Sequence, residues 1–529
     1  MKLRMVVTAT VLLGSAAGLG MTASAAAATG TTGAATPSAA SEPSISIRAI
    51  DREGKQVAVT ASLQSPVVSP TGIDDTLTNS GATRVPKGTY NIAAWVQEPG
   101  SGAQTLVDRE LVVTKSETVV FDARKGRPVR FTVNDPTATV QAVEAEPYSP
   151  QGWEAFDGYG APVPGPTYIV PGKMAPGYIL FLEAELTRPT TNVSPVDYVL
   201  IRQLGGTIPA SLTFSDNKAK LANDHVTVRS IDPGGFDGVF FQAQPADTFG
   251  ILPSGAATQQ GTTPFSVNFH FTPGYEWQSS TLSGTDNTNN LPVFGEHSYS
   301  QTFNNAVFGP SPQFGPMVNG NEVEPSTLPW GDYLLDDPTQ GLAGSFGLQP
   351  ASSQAWLYRG SKLLAHSRNG GFAAKISATP AWYTMKVSDA AAGTGAGLFT
   401  SETLSYNFRA WAGDSNLSVT NFWPLITPSG LNWLNAAKQG TKTTVRVYFK
   451  DLESDSDPAS NMTAHSVKVW ASANGGKTWT AVRVTESGPH WSAVVTNPAK
   501  AGHVSLRVQG TDSSGFTASV TVSNAYAVS

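Results

Sequence analysis

Val504-Ser505-Leu506-Arg507-Val508 alternates apolar and polar residues. That period of two turns one face of a strand to a core and the other to water. The pattern recurs at Val445-Arg446-Val447, Val467-Lys468-Val469, Val482-Arg483-Val484 and Val520-Thr521-Val522, a further strand candidate lies at Ala493 to Val495, and turns fall at Asn474-Gly475-Gly476 and Asp512 to Gly515. So many short strands in so little chain predict an immunoglobulin-like β-sandwich over residues 436–529.

Upstream, residues 136–435 carry strand candidates at Tyr178 to Leu186, Tyr198 to Leu204, His225 to Ile231, Val239 to Gln242, Phe265 to Phe271, Trp356 to Tyr358 and Tyr383 to Val387. Short strands between turn signals, with no long 3.6-residue period, predict a β-rich central region. Ser279 to Pro292 and Gly309 to Pro329 read as long Gly/Pro/Asn loops, the kind of segment in which binding often resides. Residues 45–135 predict an N-terminal sandwich from Ile45-Ser46-Ile47, Val57 to Leu63, a Pro86-Lys87-Gly88-Thr89-Tyr90 turn into Ile92 to Val96, Thr118 to Phe121 and Val129 to Val133. The expected fold class is all-β, with several immunoglobulin-like or transthyretin-like sandwiches around a larger β-rich middle section.

The leader explains the compartment. Lys2 and Arg4 precede an apolar stretch from Met5 to Gly20 and a small-residue site at Ala23-Ser24-Ala25. These are the three parts of a secretory signal, expected over residues 1–28. Residues 29–44 are mostly Ala, Thr, Ser, Gly and Pro and read as a flexible linker. The chain of 529 residues has no cysteine, which excludes disulfides, thiolate catalysis and thiolate metal ligands. Its net charge is -6 and only 14% of residues are charged, with no Lys/Arg run beyond the leader. Nucleic acid and anionic membrane surfaces are therefore not expected partners, and no membrane span is expected in the mature chain.

Two stretches and the tail carry a resemblance. Thr118-Val119-Val120-Phe121-Asp122-Ala123-Arg124-Lys125-Gly126-Arg127-Pro128-Val129-Arg130-Phe131-Thr132-Val133 is the first. Asn305-Ala306-Val307-Phe308-Gly309-Pro310, through Leu357-Tyr358-Arg359-Gly360 to Leu404-Ser405-Tyr406-Asn407-Phe408-Arg409, is the second. The tail adds Gly475-Gly476-Lys477-Thr478-Trp479, His503 to Val508, Asp512-Ser513-Ser514-Gly515 and Ala525-Tyr526. In order and spacing these resemble the non-catalytic C-terminal region of large secreted subtilisin-like serine peptidases of high-GC Gram-positive bacteria. Those peptidases need Asp-Ser/Thr-Gly, His-Gly-x-x-His and Gly-Thr-Ser-Met-Ala. Here none of the seven His precedes Gly and no Gly-Thr-Ser occurs. The resemblance implies the accessory portion standing alone, with its architecture and secreted setting but not its activity.

Each candidate for chemistry has a structural alternative. Ala343-Gly344-Ser345-Phe346-Gly347 approaches a nucleophile elbow, but Ala replaces the first Gly and no convincing strand precedes it, so it reads as a Gly-rich turn. His225, His270, His465 and His503 lie in or beside strand-like runs, and no histidine pair has zinc-site spacing. Glu183 and Glu185, two apart in Ile179 to Leu186, share one strand face, with Leu180, Leu182, Ala184 and Leu186 on the other. They form either a glycosidase-like carboxylate pair or the solvated face of a half-buried strand. Asp451, Glu453, Asp455 and Asp457 present alternating hard oxygens suited to Ca²⁺, without the glycine and terminal glutamate of an EF-hand loop. Ser472-Ala473-Asn474-Gly475-Gly476-Lys477-Thr478-Trp479 fits the Asp-box hairpin pattern Ser-x-Asp-x-Gly-x-Thr-Trp, except for Asn at the Asp position. That motif is a folding device whose Trp packs over the turn. Trp470 and Trp479 read as a cross-strand pair, and one or two of Trp382, Trp411, Trp423 and Trp433 are expected to be exposed for stacking on sugars or anchoring an interface.

No catalytic, cofactor or metal residues are assigned from this reading. The expected function is that of a secreted, non-catalytic binding or accessory protein acting on an extracellular protein or cell-wall polymer. The alternatives are an extracellular hydrolase using Glu183 and Glu185, a regulator of a secreted peptidase, and a structural role at the cell surface.

Overall fold

Ile92, Ala94 and Val96 turn one way from the strand Gly88–Gln97 while Asn91, Ala93 and Trp95 turn the other, and both faces find a core. In the computed structural model this strand lies in a seven-stranded sheet between Thr60–Gln64 and Gln104–Val113. A four-stranded sheet built on Ser44–Ile50 covers the Ile92 face, burying Ile47, Ala49, Val119 and Phe121. Tyr90 Oη donates to Pro86 O at 2.9 Å, tying the expected Pro-x-Gly-x-Tyr turn to the strand it feeds.

The structure describes residues 42–65, 74–149, 165–188, 195–230, 234–244, 257–281, 287–291, 298–307, 317–324, 342–343, 350–368, 372–391, 397–413, 422–451, 460–488 and 490–529. The expected signal and nearly all of the linker lie outside them, and Ser44 already belongs to the first strand. Among the described residues the architecture is all-β, with two short 3₁₀ turns and no α-helix.

The central region contains a six-stranded sheet in the spatial order Thr139–Tyr148, Ile179–Arg188, Val196–Gly205, Phe265–Phe271, Ala222–Val228 and Ser298–Phe303. One face packs Leu180, Leu182, Ala184 and Leu186 with Leu106 and Ile169 of the seven-stranded sheet. The other packs Phe181, Val199, Ile201, Phe269 and Phe271 against Val239, Phe241 and Trp277 of a five-stranded sheet. A nine-stranded sheet and a second five-stranded sheet enclose the C-terminal core.

Hydrogen-bonded ladders cross both expected domain boundaries. Arg127–Val133 pairs in parallel with Leu212–Asp216, and Ser401–Ala410 pairs antiparallel with Thr517–Val528. Alternation marks a strand but not its partner, so the sequence cannot show such ladders. Within the expected loop Ser279 to Pro292 the described residues pair as antiparallel strands instead, with Ser279 opposite Thr288 and Ser280 opposite Asn287. A hairpin, Met317–Asn319 with Glu322–Glu324, lies within the expected loop Gly309 to Pro329. Both are polar or very short strands without a period of two, and their neighbours set their pairing.

Candidate functional site

A groove of about 390 Å³ opens on the seven-stranded sheet, lined by Ala58, Val59, Thr60, Thr78, Asn79, Ser80, Trp95 and Gln97. Thr60 and Thr78 are direct antiparallel partners, and Ala61 pairs with Ala94, which brings Trp95 beside them. Trp95 is half-buried. It packs against the core shared with the central sheet and also lines the groove. Asn79 braces the wall: its Oδ1 accepts from Val59 N at 2.5 Å and its Nδ2 donates to Val57 O at 3.2 Å. Thr78 and Ser80 hydroxyls meet at 2.8 Å. Thr60, Thr78, Ser80 and Gln97 are exposed. The lining therefore combines an indole surface with hydroxyls and a carboxamide and, among the described residues, contains no ionisable side chain. Sequence reasoning missed the site, because its residues come from three separated strands of unremarkable composition.

Among the described residues Glu183 and Glu185 lie on a packed face, and the expectation of a solvated strand face is corrected. Their face is the one that carries Phe181, and the second core closes over it. Glu183 is 5% exposed and Glu185 half-buried. Glu144 stands directly opposite Glu183 on the neighbouring strand, and Tyr148 Oη donates to Glu146 Oε2 at 3.0 Å. Asp197 and Asp224 lie on the same sheet, both fully buried. Burial, and then the nearby Glu185 and Glu146, pushes the Glu183 carboxyl up to about 8. Burial and Asp197 push Glu185 up to about 8 as well. Burial takes Asp224 to about 7 against the pull of the Gln301 amide, which donates to it at 2.7 Å. For Glu183, Glu185 and Asp224 burial thus favours the protonated, neutral form. A glycosidase pair instead flanks a sugar, with one member ionised.

The remaining candidates are placed as follows. His225 Nδ1 meets Asn268 Oδ1 at 2.9 Å on an exposed face. His270 is buried, stacked on Tyr198 with ring centroids 5.0 Å apart, and pushed down to about 4 by burial and by Lys218 and Arg188. His465 is exposed and His503 half-buried. Glu453, Asp455 and Asp457 lie outside the described residues, as does the elbow-like stretch beyond Ala343. Among the described residues no three acidic or histidine side chains come together as a metal site.

The Asp-box-like turn is structural in its geometry. Thr478 N donates to Asn474 Oδ1 at 3.0 Å, Gly476 N to Ser472 Oγ at 3.0 Å, and Arg507 stands 4.4 Å over the Trp479 ring. The expected pairing of Trp470 with Trp479 is corrected. Trp470 stands opposite Ala481 and Arg507, and Trp479 falls in the turn just before Thr480–Val482, where the ladder begins. Trp382 and Trp433 are exposed at 40% and 47%, with Leu434 beside the latter at 44%. Trp411 is half-buried, and the Trp423 side chain lies outside the described residues. Asn432 Oδ1 accepts from Leu434 N at 2.9 Å and Ala436 N at 3.0 Å, so Trp433 and Leu434 sit on a braced turn.

No known family profile matches the chain, and no curated protein does. Among solved structures, a Streptococcal ancillary pilin is 8% identical, over 45% of this chain and 89% of the pilin, with a TM-score of 0.12. Escherichia coli alpha-2-macroglobulin activated by porcine elastase is 8% identical, over 92% of this chain and 53% of its own, with a TM-score of 0.14. The trypsin-activated form of that macroglobulin is 9% identical, over 90% and 38%, at 0.14. Likeness at this level carries no functional argument, and the reading rests on the site itself.

Proposed function

We propose that this chain is an exported, non-catalytic binding protein whose N-terminal groove takes an uncharged, hydroxyl-rich extracellular polymer, with neutral sugar rings as the units it holds. The observation that carries the reading is the composition of the groove: a half-buried Trp95 beside Thr60, Thr78, Ser80 and Gln97, without a charge. An indole offers an apolar face for the C–H surface of a sugar ring. Hydroxyl and amide groups around it exchange hydrogen bonds with sugar hydroxyls, and few convergent polar groups on an apolar floor are what orient a small ligand. The leader, the absence of cysteine and the resemblance to peptidase accessory regions supply the setting.

The test is binding of the mature protein to insoluble neutral polysaccharides and to the producer's wall fraction. Replacing Trp95→Ala should weaken binding about tenfold, equivalent to about 1.4 kcal/mol. Unchanged binding in that variant would remove the groove from the proposal. A second reading, contact with a partner protein, is favoured by Trp433 and Leu434 on their braced turn, because exposed aromatic anchors on rigid supports carry protein interfaces. A secreted peptidase as that partner is the form this reading takes from the resemblance. Capture of a protein that Trp433→Ala abolishes and Trp95→Ala leaves intact would select it.

A further inference from the structure

The turn between Ser466–Ser472 and Thr480–Val482 surrounds an asparagine with the partners of an acid. Asn474 occupies the position at which the hairpin pattern has Asp. Its Oδ1 accepts from the Ser472 hydroxyl at 2.9 Å and from Thr478 N at 3.0 Å, and its Nδ2 donates to Thr478 Oγ1 at 2.9 Å. Ser472 is buried, while Asn474 and Gly475 are exposed. Gly475 follows directly at φ 66°, with nothing within 4 Å of where a Cβ would stand. No hydrogen bond holds the Gly475 N–H among the described residues.

We propose that Asn474-Gly475 is a self-modification site at which Asn474 deamidates in place to aspartate. The backbone nitrogen of Gly475 attacks Cγ of Asn474 and forms a new C–N bond. Nδ2 leaves as ammonia, taking the Gly475 amide proton, and a five-membered imide closes. Water then cleaves the bond between that nitrogen and Cγ, which restores the peptide N–H and leaves a carboxylate. The net change is Asn and water to Asp and ammonia, with nothing oxidised or reduced.

Two features favour the reaction here. The Ser472 and Thr478 donors polarise Cγ and hold the negative charge that grows on Oδ1 as nitrogen adds, the role of oxyanion donors. Gly475 has no side chain to obstruct the rotation that brings its nitrogen onto Cγ. The product suits the site better than the reactant does. An aspartate keeps both donors, and the Thr478 hydroxyl turns from accepting to donating. Three hydrogen bonds then fall on an anion and become charge-assisted, with the Arg507 guanidinium at the same end of the hairpin over Trp479. An iso-linked product would lengthen the backbone and pull the carboxylate away from these partners.

The test is incubation of the intact protein at mildly alkaline pH, followed by tryptic mapping of the peptide that carries Asn474. Asn319-Gly320 is the internal control: it is exposed, with Gly320 at φ 62°, and among the described residues no side-chain hydrogen bond polarises Asn319. Asn474 should convert several-fold faster than Asn319, to a product that co-elutes with the peptide of the Asn474→Asp variant. Ser472→Ala should slow that conversion several-fold. A rate no faster than at Asn319, or a mainly iso-linked product, overturns the proposal. Asn474→Asp provides a second readout should Ser472→Ala disturb the hairpin: its thermal midpoint should equal or exceed that of the parent, and a lower one overturns the fit of the turn to the acid.

Discussion

Replacing Glu183→Gln and following stability from about pH 5 to about pH 9 tests the buried carboxyls directly. In the folded protein Glu183 lies between two packed sheets, 5% exposed and opposite Glu144, with its Oε2 unpaired among the described residues. Its carboxyl is pushed from 4.5 up to about 8. The folded state therefore holds this proton through a range in which the unfolded chain has released it. Stability is whole below the unfolded value, falls as pH rises towards the folded one, and is level above it. At 1.36 kcal/mol per pKa unit, the loss attributable to this one group is roughly 3–5 kcal/mol. Asp108, pushed to about 7 by burial, and Asp389, pushed to about 8, act in the same direction. His270, buried and held down to about 4, opposes them at the acid end, because its stability contribution is lost as pH falls below the ordinary histidine value. Stability should thus peak on the acid side of neutrality. Urea unfolding at a series of pH values measures this, with the midpoint converted through the slope. The parent should weaken steeply towards alkaline pH. Glu183→Gln, which keeps the shape and removes the proton, should weaken less, and the gap should widen to a few kcal/mol above pH 8. Parallel curves for the two proteins, or a parent whose stability rises with pH, would refute the reasoning.

Other perturbations follow from particular contacts. Gly510→Ala puts a methyl 2.2 Å from the Phe449 ring, which is itself stacked on Phe422 with centroids 4.3 Å apart. Overpacking there should cost about 1–3 kcal/mol in denaturant unfolding. Asn435 is fully buried at φ 55°, its Oδ1 accepting from Ala306 N at 2.9 Å and its Nδ2 donating to Asn304 O at 2.8 Å. Asn435→Ala removes both hydrogen bonds from a buried, strained backbone and should cost about 2–4 kcal/mol by the same measurement. Tyr526→Phe removes a buried hydrogen bond of 2.9 Å to Asn497 Oδ1 and should cost about 1–2 kcal/mol, read as a lower urea midpoint with unchanged slope.

The strands of the C-terminal sandwich were legible because each buries one face, so that alternation at Val504 to Val508 or Val520 to Val522 reports directly on a core. Phe265 to Phe271 is a strand with the bounds its sequence suggests. The central sheet misled for the opposite reason. Ile179 to Leu186 alternates like a strand with one wet face, yet both faces are covered, and the second cover comes from residues such as Phe241 and Trp277, far along the chain. Only that packing turns Glu183 from a surface carboxylate into a neutral buried acid, since desolvation depends on what lies overhead and not on neighbours in sequence. The same holds for the groove, whose Thr60, Thr78 and Trp95 meet through strand register. It holds again for Asn304 and Asn435, which join the central sheet to the C-terminal sandwich by hydrogen bonds spanning more than a hundred residues. By itself the sequence determined what is local: the all-β class, most strand positions, the absence of cysteine chemistry and the partners of the Asn474 turn. Tertiary structure decided which faces meet, and through that the burial of the central carboxyls and the position of the Trp95 groove.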